Sequence, residues 1–141
     1  MKKWFKRIAI GLVVLIIALQ FYPIDRSNPS ERSEPPGPPE VKALLRRSCF
    51  DCHSNETIWP WYARFAPVSL LIARDVQNGR KEVNFSTWEK LDEKRKARKL
   101  KDIAKEVGDG DMPLFYYLPL HPDAKLSAAE RELIVKWAKQ S

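Results

Sequence analysis

Cys49-Phe50-Asp51-Cys52-His53 places two thiols three residues apart with an imidazole directly after the second. Both cysteines of the chain and one of its two histidines are spent on this one five-residue stretch. A C-x-x-C-H run is the pattern for covalent haem attachment. Each thiol can add to a vinyl group of the porphyrin, and the adjacent imidazole can then reach the iron from one side. The reading is one haem c, held by Cys49 and Cys52 and ligated by His53.

Three other chemistries use similar residues. A zinc site needs more Cys or His ligands, and the chain offers only His121 besides the motif. A thioredoxin-like dithiol sits at a strand-to-helix turn, and no βαβ pattern is present. A structural disulfide would leave His53 without a role.

Met112, the only methionine besides the first residue, stands in Gly110-Asp111-Met112-Pro113 and is the leading candidate for the sixth iron ligand. A thioether opposite imidazole raises the reduction potential and suits one-electron transfer. His121, nine positions on, is the rival ligand, and its plainer reading is a loop histidine beside Pro122. Trp59, Trp61 and Tyr62, followed by Phe65, are expected to line the haem pocket, where one of them could donate to a propionate. Ordinary core packing would explain the same cluster. The imidazole's other nitrogen should donate to a carbonyl, for which Pro60 and Pro67 are candidates.

These residues need elements to position them, and the pattern from Glu40 onward is helical. Pro38 and Pro39 suit the start of a short helix carrying Val41, Leu44 and Leu45 to Cys49. Val68, Leu71, Ile72 and Val76 form the stripe of a second helix, with Gly79 placed to end it. Ser86-Thr87-Trp88-Glu89 reads as a capping box opening a helical stretch that Gly108 stops, broken between Asp92 and Lys96 because Trp88 and Leu91 face away from Leu100, Ile103, Ala104 and Val107. Ser127 to Glu130 is a second capping box, opening a helix with Leu133, Ile134 and Trp137 inward. No strand pattern or repeat appears, so the fold class is all-α, a single monohaem domain over residues 40–141.

Upstream, Lys2, Lys3, Lys6 and Arg7 precede an apolar run from Ile8 to Leu19. Without an A-x-A exit, this reads as a retained signal anchor or transmembrane helix over residues 1–22. The domain would then lie on the outer, periplasmic side of the cytoplasmic membrane. Six of the eleven prolines fall from Pro23 to Pro39, so residues 23–39 read as a proline-rich linker, reaching up to ~50 Å if extended.

At 141 residues, 44% hydrophobic and 30% charged, the chain has room for one domain and is neither disordered throughout nor polytopic. Its net charge of +7 is partly N-terminal, and no basic motif is interleaved with aromatics, which argues against nucleic acid as a partner. The charge run from Lys90 to Lys105 is a wet helix face or a docking face for an acidic redox partner.

The order of Cys49-Phe-Asp-Cys-His53-Ser-Asn-Glu-Thr57, Trp59-Pro-Trp-Tyr62, Ala66-Pro-Val-Ser69, Asn84-Phe-Ser86 with Trp88, Met112-Pro113 and Leu126-Ser127 is similar to the bacterial haem-binding domain family of cytochrome-c-like proteins. The resemblance runs from about Val41 to Trp137. It implies a helical cytochrome-c-like fold, export, and one haem at Cys49, Cys52 and His53; Met112 matches the family's Met-Pro position. The expected function is one-electron carriage to or from a redox partner protein of unknown identity. A haem enzyme or gas sensor with an open distal site, and a thiol-redox or scaffold protein without haem, are the other classes.

Overall fold

In the computed structural model, which describes residues 2–141, α1 (Lys2–Gln20), α2 (Pro39–Ser48), α3 (Phe50–His53), α4 (Val68–Glu82), α5 (Glu93–Asp109) and α6 (Ala128–Gln140) are joined by loops and three short 3-10 turns. No strand occurs among the described residues. The all-helical expectation therefore holds for the secondary structure.

The core lies where α2, α5 and α6 meet. Val41, Leu44 and Leu45 of α2 are buried against Leu100, Ile103, Ala104 and Val107 of α5 and Ile134, Trp137 and Ala138 of α6. Ser127 closes its capping box with Glu130 as the sequence predicts, which satisfies two of the helix's orphan N–H groups. Leu133, expected inward, is exposed instead.

Four other expectations are corrected by tertiary contacts. The break before α5 falls at Leu91 and Asp92, and Asp92 caps α5 by accepting from Arg95 N at 2.8 Å. Ser86 does not cap a helix: Asn84 takes that part, and the Ser86 hydroxyl accepts from Asn55 N at 2.9 Å in the interior. Gly108 lies inside α5, and the helix stops at Gly110, whose φ of 85° is left-handed backbone that glycine adopts without strain. In α4 the buried face is Ser69, Ala73, Val76 and Gly79, leaving Val68 and Leu71 exposed.

Gly79 does not end α4, which continues to Glu82. It marks the point where α4 crosses α3: a Cβ here would stand 2.5 Å from the Cys52 carbonyl oxygen. Only a residue without a side chain lets the two backbones approach so closely.

Residues 21–38 are extended, but they do not hang free. Arg26 donates to the Ala63 carbonyl at 3.2 and 2.9 Å, Ser33 to Phe85 O at 3.0 Å, and the Trp137 indole donates to Pro36 O at 3.0 Å. Pro35 is wholly buried. The prolines that rule out a helix here produce a strap along the domain rather than a spacer. Arg80 of α4 fastens it, donating to Ser27 O, Asn28 Oδ1, Thr57 Oγ1 and Ser54 O at 3.0, 2.7, 3.0 and 2.8 Å.

The expected membrane anchor, and with it the single-pass localisation, is overturned: no helix among the described residues is long and apolar enough to cross a membrane. Met1, first residue of that expected segment, lies outside them. In α1 the four cations Lys2, Lys3, Lys6 and Arg7 occupy the first two turns. The uncharged remainder, Ile8 to Gln20, rises only ~20 Å as a helix, against a hydrocarbon layer of ~30 Å. The charges that suggest an export signal are the same residues that shorten the span.

The close crossing generates a paired prediction. Gly79→Ala forces the α3 and α4 backbones apart and should destabilise the fold by about 1–3 kcal/mol. Gly108→Ala meets only Val135 Cγ2, at an ordinary 3.6 Å, and should be neutral or stabilising by up to ~1 kcal/mol. Denaturant unfolding of both variants checks the contrast. Arg80→Ala, which frees the strap, should cost about 2 kcal/mol in the same assay, and Arg80→Lys should recover little of it because a single ammonium cannot span the four acceptors.

Candidate haem site

Phe50, the first residue between the two cysteines, anchors the motif. Its ring is buried and stacks on Phe85 at 5.3 Å, and the Arg46 guanidinium lies over the ring, 4.7 Å from the centroid. With Phe50 turned inward, Cys49, Cys52 and His53 face a cavity of about 640 Å³. Its walls are α2 (Leu45, Ser48), α4 (Ile72, Val76, Gly79), α5 (Ile103, Val107) and the segment after α5 (Met112, Pro113, Leu114). This volume falls in the range of cofactor sites, and the named walls are mostly aliphatic, as such sites require.

The His53 ring is oriented by α4. Its Nδ1 is 3.0 Å from the Gly79 carbonyl oxygen and 3.1 Å from that of Val83. Carbonyls only accept, so Nδ1 carries the proton and Nε2 keeps its lone pair. Neither Pro60 nor Pro67 supplies this acceptor. Burial is the main influence on the ring's basicity and pushes its pKa below the usual value, with the two carbonyls opposing. The neutral imidazole a metal needs is thus the form the fold favours.

Cys49 and Cys52 are both free thiols. Burial pushes each up to about 12, with further contributions from Cys52 on Cys49 and from Asp51 and Asp75 on Cys52. Neutral thiols without a metal-ligating cluster around them leave zinc without support; no group of three His, Cys, Asp or Glu suited to a metal ion occurs among the described residues.

Met112 reaches the cavity by local chain geometry. After α5 turns at Gly110, Asp111 N and Met112 N both donate back to Glu106 O at 3.0 and 3.2 Å. Arg131 of α6 then donates to Val107 O at 3.0 Å and to Met112 O at 3.1 Å, pinning the turn. His121 lines the same cavity. The Tyr62 hydroxyl lies across its edge, 3.3 Å from Nδ1 and 3.2 Å from Nε2, and Tyr117 stacks flat on it at 3.8 Å. Those contacts must be given up before His121 could turn to a metal.

Of the expected aromatics, Tyr62 lines the cavity and the two tryptophans do not. Trp61 is 75% exposed. Trp59 is half-buried with its indole N–H unpartnered. Within the 3-10 turn Trp61–Arg64, Trp61 and Tyr62 are adjacent in sequence, yet only Tyr62 lines the cavity.

Several site residues have no signal in the motif. Asp51, between the cysteines, accepts from Ile58 N at 3.1 Å through Oδ1 and from the Tyr117 hydroxyl at 2.7 Å through Oδ2. Ser48 Oγ is buried on the cavity wall with no partner. A buried hydroxyl without a bond is costly, and here it faces space that a polar-edged ligand would fill. Free thiols, an oriented neutral imidazole, aliphatic walls and an orphan hydroxyl together fit a haem.

No curated protein and no solved structure matches the chain. The sequence profile described as "haem-binding domain" matches residues 14–140. That match takes in the strap as well as the helices around the cavity, and by it the chain belongs to the haem-binding domain family.

Proposed function

We propose that the protein is a c-type haem protein that carries single electrons, with haem bound covalently through Cys49 and Cys52 and its iron held between His53 and Met112. The observation that carries this reading is the convergence of two unpaired thiols, an imidazole with its Nδ1 proton committed, and a thioether on one cavity.

Cys49 and Cys52 would hold the haem by adding their S–H bonds across its two vinyl groups, sulfur to one carbon and the proton to the other, with no net redox change. When bound, haem supplies the one-electron couple. The chain's own residues do the rest. Gly79 and Val83 fix the His53 proton on Nδ1 and raise the basicity of Nε2 as a donor. Arg131 holds the Met112 backbone at the cavity. The aliphatic walls would set a low-polarity surrounding for the haem. Tyr62 and Tyr117 compete for His121 and keep it off the metal. The partner would be a second redox protein.

Material produced with a c-type maturation system should have an intact mass equal to the polypeptide plus one haem, retained on a denaturing gel; the bare polypeptide mass would overturn the covalent reading. Met112→Ala should abolish the weak near-infrared sulfur-to-iron band and lower the potential by on the order of 0.1 V. If the unaltered protein lacks that band, and His121→Ala but not Met112→Ala opens the sixth position to added ligands, the sixth ligand is the imidazole.

A further inference from the structure

The segment from Pro113 to His121 carries Met112 away from α5, and burial holds it poorly. Phe115 is 81% exposed and Leu120 63% exposed. Its backbone is knit by local turns, Tyr117 N to Leu114 O at 3.0 Å and His121 N to Leu118 O at 3.1 Å. Two adjacent tyrosines instead fasten it to two different walls of the cavity. Tyr117 donates to Asp51 Oδ2 in α3 at 2.7 Å, and Tyr116 donates to Asp75 Oδ2 in α4 at 3.1 Å.

We propose that Tyr116 and Tyr117, closing on Asp75 and Asp51, form a clasp that holds the Met112 segment shut over the cavity, with Tyr117 the principal positioning residue for the sixth ligand. As a statement about ligand positioning, this rests on the reading of Met112 as that ligand.

Asp51 is a prepared acceptor. Ile58 N occupies Oδ1, which sets the carboxylate plane and leaves Oδ2 for Tyr117. A hydroxyl bonded to a carboxylate is about twice as strong as a neutral pair, and this one lies in a half-buried setting where water competes weakly. Burial, followed by the bond to Asp51, raises the Tyr117 pKa, so the phenol remains a donor. The ring adds a second hold by stacking on His121 at 3.8 Å and 8°, and Tyr62 meets the same histidine from the 3-10 turn Trp61–Arg64. The Tyr116 contact is more exposed and should contribute less. Met112 is thereby pinned on both sides in sequence, by Arg131 on its own carbonyl and by the clasp a few residues on.

An outside ligand binds only when the segment opens, so its apparent affinity scales with the open fraction. Imidazole titration of the ferric, full-length holoprotein should therefore show about tenfold tighter binding in Tyr117→Phe, the equivalent of ~1.4 kcal/mol, with a weaker near-infrared band at unchanged haem content. Tyr116→Phe should shift affinity about two- to threefold, and Phe115→Ala, which removes an exposed ring from the same segment, should leave it unchanged. Amide exchange over residues 114–121 should quicken about tenfold in Tyr117→Phe.

If the wild-type protein shows the band but Tyr117→Phe changes neither imidazole affinity nor exchange, the clasp is wrong. If the wild-type protein lacks the band, the Met112 assignment falls separately, and exchange alone decides the clasp: faster in the variant upholds it, equal overturns it.

Discussion

The structure around the cavity depends on one contact, the crossing of α4 over the Cys49–His53 turn at Gly79. At this point the missing side chain admits the Cys52 carbonyl, and the Gly79 carbonyl takes the His53 N–H. Steric and electrostatic requirements therefore meet on one residue. If α4 stood farther off, the imidazole would lose its acceptors and the cavity wall formed by Ile72 and Val76 would move with them. Arg80, the next residue, extends the same crossing to the strap and to the loop after His53.

A chain with a core this small gains from a large apolar plate in its interior. The buried face of α5 serves core and cavity together: Leu100, Ile103, Ala104 and Val107 belong to the cluster shared with α2 and α6, and Ile103 and Val107 also line the cavity. The ligand that the family binds would complete that face.

The parts legible in the sequence are those governed by local rules. The apolar stripes of α2 and α5 and the Ser127 capping box each follow from residues a few positions apart, and the structure reproduces those elements. What escaped was set by partners distant in sequence. Gly79 and Gly108 look alike as helix terminators, yet both lie within helices; one is required by Cys52, and the other is tolerated. Ser86 has the surroundings of a cap, but Asn55 claims its hydroxyl. The Asp51–Tyr117 bond joins residues 66 apart and has no local signature. Proline-rich composition says that residues 23–39 are irregular, and says nothing about whether irregular chain is bound. For α1, hydropathy suggested a span, whereas the position of its four cations limits the apolar length.

Electrostatically the site favours neutral ligands: burial lowers the basicity of His53 and holds both thiols protonated. The proposed haem site stands on α4 capturing the proton on Nδ1, which leaves the His53 Nε2 for iron. Nitrogen-15 NMR of the histidine-labelled, reduced holoprotein tests this most directly. The account requires a His53 Nδ1 proton that exchanges slowly with solvent and a ring that does not titrate through the usual imidazole range. A His53 ring that titrates freely, or one bound to iron through Nδ1, would contradict it.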